Sequence, residues 1–508
     1  MTENKQLAKN MSWSMIVSVI NYMVSFILTP YITQTLGIEA YGFISLSHTF
    51  TTYIDIITVA LNAFAARYIA IEYHNSRIDK ARTYFNSVLV ADAFLLAIIS
   101  FPIFAIIIKL DVLLVIPQEI IREVKILFLL VYINYCINIF GTLFSSLIFI
   151  KNQTNITYKN KGISTVLYAF LIAGAILSIG LEIYSIAVAQ IISTILYLIA
   201  NIYSSRKVMP EITIDIRNYS RHSIKEIISS GIWNSFNNIG AVLNNGLDLL
   251  VTNRMLTNTI MGQVSVGKQL SNIFNSVSVL VVHAFQPKQL EYYSKGDKDS
   301  LVKSLIKSIK TSGVLGCTIY GAYVILGQQF LKIWMGNEAE YIYYLGLIAL
   351  SGDIMQITNR PLFYVFTLTN KLKINCWITL VTGMLNFTFM LVFMNVTNLG
   401  GYIVVGSTSI AYALTIWCIS LQARKYLNLK KNPFNFYIIR NYLTAIALLI
   451  GGLLLNQYIR VYGWISFALW AIPVGLSTFG VSAFAILSKN ERKSFRNAVI
   501  GRLKRGKV

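Results

Sequence analysis

Residues 83–108 read TYFNSVLVADAFLLAIISFPIFAIII, and Asp92 is the one charged side chain among them. A helix needs about 20 mostly apolar residues to cross roughly 30 Å of hydrocarbon. Within lipid, each backbone N–H and C=O must be satisfied inside the protein, so spanning segments are helices or closed barrels. This run is continuously apolar rather than alternating, which selects the helix. Comparable runs fill the chain: 11–34, 41–70, 124–150, 158–181, 183–204, 226–252, 261–287, 309–334, 341–369, 374–396, 399–423, 438–459 and 462–488. With 83–108 they make about fourteen transmembrane helices joined by short loops. Charged residues are only 13% of the 508, about half the share of a soluble chain, so most of the surface does not face water. The fold class is therefore all-α integral membrane.

The net charge is +22, and its placement gives orientation. Lys and Arg are enriched in cytoplasmic loops. With the N-terminus inside, the inner loops hold Arg77, Lys80 and Arg82; Lys151, Lys159 and Lys161; Arg206, Lys207, Arg217, Arg221 and Lys225; and a tail from Lys489 to Lys507. The outer side keeps Lys109, Arg122, Lys125, Arg254, Lys332 and Arg460. Both termini are expected to be cytoplasmic, and this basic belt makes nucleic acid unnecessary as a partner. The polar start, Met1 to Asn10, has no small-residue cleavage pattern, so the first helix is read as its own insertion signal. The acceptor patterns at Asn152 and Asn155 fall in an inner loop and are discounted. Cys136, Cys317, Cys376 and Cys418 lie in apolar segments without metal-ligand spacing and are read as small buried apolar residues.

The chain resembles itself at a shift of about 220 residues. Gly42-Phe-Ile-Ser45 meets Gly262-Gln-Val-Ser265, and Glu72-Tyr73 meets Glu291-Tyr292 with a one-residue slip. Charged loops with Asp79-Lys80 and Asp297-Lys298 follow. Six spans precede the basic loop 205–225 and six follow before the basic loop 424–435, which implies a parallel repeat. The organisation read from this is an N-terminal six-helix bundle over 1–205, a C-terminal six-helix bundle over 222–424, an appended helix pair over 438–488 and a basic cytoplasmic tail over 489–508.

Polar side chains recur at helical spacing in four spans. The first carries Ser14, Ser18, Asn21, Ser25 and Thr29; the second His48, Thr52, Asp55, Thr58 and Asn62. The seventh carries Asn234, Asn238, Asn245 and Asp248; the eighth Lys268, Asn272, Asn275 and Ser278. A charge at a membrane-helix centre costs roughly 2.5–3.5 kcal/mol on insertion scales. The faces are therefore expected to line a hydrated central cavity between the two bundles, the alternative being interhelical hydrogen bonds that glue helices together. The tenth span adds Asp353, Gln356 and Arg360, where Asp353 and Arg360 face either each other or the cavity. Arg67 belongs to the cavity or to the basic belt, and Asp92 and His283 are left unassigned. Pro30 removes a helix hydrogen bond and is expected to kink the first helix. No nucleotide-binding loop is read: Gly401-Tyr-Ile-Val-Val-Gly406-Ser-Thr lacks the Lys and lies in an apolar span. No cofactor is expected beyond a coupling proton or Na+, so the driving force is an ion gradient, the membrane potential or the substrate's own gradient.

The loop Leu36-Gly-Ile-Glu-Ala-Tyr-Gly42 resembles the signature of bacterial polysaccharide flippases, the Wzx-like branch of the multidrug/oligosaccharidyl-lipid/polysaccharide exporter superfamily. The resemblance covers essentially the whole chain. Fourteen spans are similar to the flippase branches rather than to twelve-helix antiporters. Lipid II flippases typically carry several cavity arginines in the first and second helices, and the first helix has none here. The resemblance implies a non-enzymatic flippase of the bacterial plasma (inner) membrane. It would move a polyprenyl-diphosphate-linked oligosaccharide to the outer leaflet by alternating access, alongside membrane lipid and the polysaccharide polymerase machinery. In that picture Lys268 and Arg360 meet the diphosphate. The faces with Asn21, Ser25, His48, Asn234, Asn238, Asn245, Asn272 and Asn275 meet sugar hydroxyls, and Asp55, Asp248 or Asp353 binds the coupling ion. Two alternatives stay open: a cation-coupled exporter of drugs or other amphiphiles, and a membrane enzyme acting on the same lipid-linked substrate, which the short outer loops disfavour.

Overall fold

The computed structural model describes residues 3–178, 180 and 182–493, so residues 494–508 of the basic tail lie outside the described residues. The described chain is helical: α1 (Glu3–Leu36), α2 (Ile38–His74), α3 (Ile78–Ile108), α4 (Leu110–Leu113), α5 (Ile121–Ile150), α6 (Thr154–Ser178), α7 (Ser185–Val208), α8 (Arg221–Asn245), α9 (Asp248–Met255), α10 (Asn258–Ser294), α11 (Lys298–Met335), α12 (Ala339–Leu368), α13 (Leu372–Val396), α14 (Tyr402–Tyr426), α15 (Asn435–Asn456) and α16 (Trp464–Ile486). Among the described residues, eleven stretches are long and apolar enough to cross a membrane. One of them, Lys298–Leu368, contains both α11 and α12. α8 and α10 are not among them, because the Asn, Ser and Lys faces that mark them lower their hydropathy. Length, composition and helicity together make this a multi-pass membrane protein.

The chain forms two compact units, Met1–Gly262 and Gln263–Val508. The division falls inside α10 rather than in the basic loop at 205–225. The reason is that α8 packs along α2. A Cβ on Gly231 would run into the Ala60 carbonyl, Tyr68 Oη and Ser230 Oγ lie 2.7 Å apart, and Tyr84 donates to Glu226 at 2.6 Å. In the second unit, α15 and α16 pack on α11. Asn441 donates to the Ile309 carbonyl at 3.2 Å and Asn456 to the Val324 carbonyl at 3.1 Å. The helix pair read as appended is thus built into the second unit.

The span read as 226–252 is two helices. α8 ends at Asn245, and Asp248 opens α9, so Asp248 does not continue the Asn234–Asn245 face. The break falls at Gly246, whose carbonyl accepts from Tyr53 Oη at 2.6 Å. α1 continues through Pro30. Thr33 Oγ1 donates to the Thr29 and Pro30 carbonyls, each at 3.0 Å.

The motif Leu36–Gly42 has a backbone explanation. Gly37 joins α1 to α2 at φ 87, a conformation that favours glycine. Glu39 accepts from Thr259 at 2.6 Å. Gly42 meets the first turn of α10, where an added Cβ would lie 3.0 Å from Gly262 N. The two glycines matched by the 220-residue shift therefore pack against each other.

The turns keep the same register. Ser76 (φ 61) and Gly296 (φ 71) both sit in the left-handed region. Asn75, Ser76 and Arg77 donate to Ile71, Tyr73 and Glu72; Lys295, Gly296 and Asp297 donate to Glu291, Tyr293 and Tyr292. The shift is 220 throughout, so the apparent one-residue slip at Glu72-Tyr73 is absent from the backbone. Gly180 and Gly400 also share a positive φ.

Candidate functional site

Five helices of the first unit present polar faces to one cavity of ≈ 600 Å3. α1 supplies Asn21, Ser25 and Thr29; α2 supplies Tyr41, Ser45 and His48; α5 supplies Asn138 and Thr142. α6 adds Lys161, Ser164, Thr165 and Tyr168, and α7 adds Gln190, Ser193, Thr194 and Tyr197. In α6 and α7 these recur at intervals of three and four, the spacing that puts side chains on one helix face. Hydrogen bonds tie the walls together: Thr165 donates to Asn21 at 2.7 Å, Ser164 to the Ser193 carbonyl at 2.6 Å, and Gln190 Nε2 lies 3.1 Å from His48 Nε2. Among the described residues, Lys161 is the one Lys or Arg lining the cavity and no carboxylate lines it. A second cavity of ≈ 390 Å3 shares Thr142, Lys161 and Tyr197 with the first and adds Asn62, Ser145, Ser146, Thr154, Thr157 and Tyr158. Lys161 thus lines both cavities. It carries a charge but no ion pair among the described residues.

Of the residues singled out from the sequence, Asn21, Ser25 and His48 meet in this cavity. Asp55 accepts from Tyr135 Oη at 2.7 Å, and that hydroxyl lies 2.6 Å from Thr58 Oγ1. The unassigned Asp92 is fully buried and accepts from Asn62 at 2.9 Å. Asn234 and Asn238 are half-buried on α8, Asn245 is exposed at its end, and Asp248 is buried in α9. Asp248 lies in the first turn of its helix, where a carboxylate complements the helix dipole.

The second unit gathers a different group. Asp353 on α12 accepts from Ser271 Oγ and from Asn275 Nδ2 at 2.8 Å, both on α10. Arg360 donates to Asn275 Oδ1 at 3.3 Å and to Gln356 Oε1 at 3.1 Å. Asn275 therefore bridges the two charges, and Asp353 and Arg360 neither pair directly nor stand apart. Lys268 also acts electrostatically on Asp353, whereas Asn272, one residue from Ser271, is exposed.

Lys161 was read as part of the basic belt, and the α6 and α7 faces were not singled out. The signal was present in the spacing Lys161, Ser164, Thr165, Tyr168 and Gln190, Ser193, Thr194, Tyr197. Asn152 and Asn155, discounted as acceptors, are structural: Asn10 donates to the Asn152 carbonyl at 3.0 Å and Gln6 to Asn155 Oδ1 at 2.8 Å. Cys317 and Cys376 are buried as expected, whereas Cys418 is exposed on the side of α14.

An all-helical, multi-pass membrane fold with a polar cavity inside its first unit is a transporter architecture. Similar solved structures are the lipid II flippase MurJ in an inward closed conformation (TM-score 0.71, 12% identity, covering 93% of this chain and 98% of that one) and an inward-facing multidrug resistance MATE family transporter of the MOP superfamily (TM-score 0.67, 14% identity, covering 80% and 94%). At these identities the likeness is one of fold. The chain belongs to the polysaccharide biosynthesis protein family, whose sequence profile matches residues 7–287. It is also 24% identical over 486 residues to the uncharacterized membrane protein EpsK of Bacillus subtilis (strain 168), covering 95% of this chain and 96% of EpsK.

Proposed function

We propose that this protein is a flippase that carries a polyprenyl-diphosphate-linked oligosaccharide from the inner to the outer leaflet of the plasma membrane for surface polysaccharide biosynthesis. One observation carries the reading: the ≈ 600 Å3 cavity of the first unit is walled by amides and hydroxyls, with Lys161 as its cation and no carboxylate in its lining. Amide and hydroxyl groups both donate and accept, which suits sugar hydroxyls. A lone ammonium in a low-dielectric surround attracts a phosphate strongly. A cavity for cationic drugs would need the opposite charge, so the exporter reading is the weaker one. The polysaccharide biosynthesis family and the fold shared with a lipid II flippase support the same class of substrate. Translocation proceeds by alternating access without covalent chemistry. A proton or Na+ bound at Asp55, Asp248 or Asp353 is the proposed coupling ion, and a polysaccharide polymerase is the proposed downstream partner.

The test is deletion in the host. Complete lipid-linked repeat units should accumulate on the inner leaflet while surface polymer disappears. The intact gene should reverse this, and Lys161→Met should not. Normal surface polymer with altered resistance to cationic drugs would replace this reading with the exporter.

A further inference from the structure

The α2–α3 and α10–α11 hairpins close with the same turn, 220 residues apart, yet their inner grooves differ. In the first unit the linker after α7 lies over α3. Asn86 donates to the Thr213 carbonyl at 3.1 Å, Thr83 to Asn218 at 2.9 Å, and Ser220 N to Ser87 Oγ at 2.8 Å. Acidic residues accompany that linker: Glu211 receives Tyr73 at 3.4 Å, and Glu226, at the start of α8, receives Tyr84 at 2.6 Å. Shifted by 220, Thr83 and Ser87 become Lys303 and Lys307. There the groove between α10 and α11 is an open pocket of ≈ 440 Å3 lined by Ala284, Phe285, Lys288, Tyr292, Ser300, Lys303, Ser304 and Lys307.

Three ammonium groups meet at this pocket, and among the described residues no carboxylate lines it. The nearby acids Glu291 and Asp297 act electrostatically on Lys288 and Lys303 but form their hydrogen bonds outside the pocket, so they offset the three ammonium groups only in part. Glu291 accepts from Lys295 at 2.6 Å, which holds its carboxyl below the usual range. Asp297 caps α11 by accepting from Ser300 N at 3.0 Å. Gathering like charges is unfavourable unless an anion offsets them. The surroundings are amphipathic: Phe285 and Tyr292 line the pocket, and beside it Leu290 is 52% and Tyr293 40% exposed. Aromatic side chains of this kind sit at the membrane interface. The Lys and Arg distribution places this end of the helices on the cytoplasmic side, where basic pockets between helices take lipid head groups.

We propose that the α10–α11 pocket is a binding site for the head group of an anionic phospholipid, with Lys288, Lys303 and Lys307 holding the phosphate and the Phe285–Tyr292 wall against the acyl chains. The site shares no lining residue with the first-unit cavity and does not depend on the substrate assigned above.

The measurement is thermal unfolding of the full chain in neutral detergent, titrated with dioctanoyl phosphatidylglycerol and, separately, dioctanoyl phosphatidylcholine. A ligand that binds only the folded state raises the midpoint with concentration. Phosphatidylglycerol should raise it and phosphatidylcholine should not. The combined variant Lys288→Gln, Lys303→Gln and Lys307→Gln should weaken that effect about a hundredfold, from about 1 kcal/mol per Lys near an anionic surface. All three side chains are exposed, so the unliganded midpoint should hold; if it falls, Lys307→Gln alone supplies the comparison and should weaken the effect several-fold. The control is Arg206→Gln, Lys207→Gln and Lys225→Gln, which removes the same charge elsewhere. Equal loss in the control would reduce the effect to general attraction and overturn the site. Stabilisation by inorganic phosphate alone, or by polyprenyl diphosphate and not phosphatidylglycerol, would overturn it as well.

Discussion

The two units start from similar sequence patterns and use them differently. In the first, polar faces from five helices stop short of one another and leave a cavity with an unpaired cation. In the second, the α10 and α12 faces close up, with Asn275 joining Asp353 to Arg360. A polar stripe on a membrane helix therefore says that something must satisfy it. Whether that is water and substrate or a neighbouring helix depends on how closely the next helix packs.

The comparison can be broken at several points. The largest effect is expected at a glycine pair of the same 220-residue register. Gly231→Ala pushes a methyl into the Ala60 carbonyl and should abolish recovery of folded protein. Gly451 has open space around its missing Cβ, so Gly451→Ala should stabilise by about 1 kcal/mol through helix propensity; both are read by yield and unfolding midpoint. Next come the cations. Lys161→Met should cut externalisation of lipid-linked oligosaccharide by roughly a hundredfold, the loss of a strong charge-assisted bond, with the midpoint unchanged. Arg360→Met should do the reverse first, lowering stability by about 3 kcal/mol because the buried Asp353–Asn275 cluster loses the cation that Asn275 bridges to it. If Arg360→Met lost transport at full stability, the contrast between open cavity and closed cluster would fail.

A smaller effect is expected where the C-terminal segment meets α11. Glu491 accepts from the largely buried Lys310 at 2.9 Å, and Lys310 stands over the Tyr437 ring. Burial pushes the Glu491 carboxyl up, but the Ser488 N–H and the Lys310 ammonium outweigh it, so its pKa ends below the usual range. A carboxylate depressed in the folded state contributes stability above its unfolded pKa of about 4.3 and loses it as pH falls through the folded value. Glu491→Gln should therefore cost about 2 kcal/mol at neutral pH, discounted for partial exposure, and this difference should vanish in acid unfolding curves. The smallest effect belongs to Tyr135→Phe. Removing the hydroxyl between Asp55 and Thr58 should lower stability by about 1 kcal/mol, which separates a structural Asp55 from a transport one if externalisation is unaffected.

The helices themselves were legible because lipid leaves the backbone no alternative. The apolar runs correspond to α1–α3, α5–α7 and α11–α16, and even the polar α8 and α10 were readable as helices from their spacing. The break at Gly246 was not, because one glycine in a helical pattern is compatible with continuation and the Tyr53 hydrogen bond from α2 to the Gly246 carbonyl is not contained in that pattern. The site was half legible. Asn21, Ser25 and His48 were found because polar groups in apolar runs are conspicuous. Lys161 was missed because, a few residues into its helix, it looks like any belt lysine.

What the sequence by itself determined is the membrane, the helices and the 220-residue register, since each is set by local hydrophobicity and backbone chemistry that need no neighbour. Tertiary structure decided that α8 lies along α2, that Asn275 mediates between Asp353 and Arg360, and that the linker fills one hairpin groove while the matching groove stays open. Those outcomes depend on which side chains come within hydrogen-bond reach of each other across 78 residues of chain or more, a distance relation that periodicity along one helix does not contain.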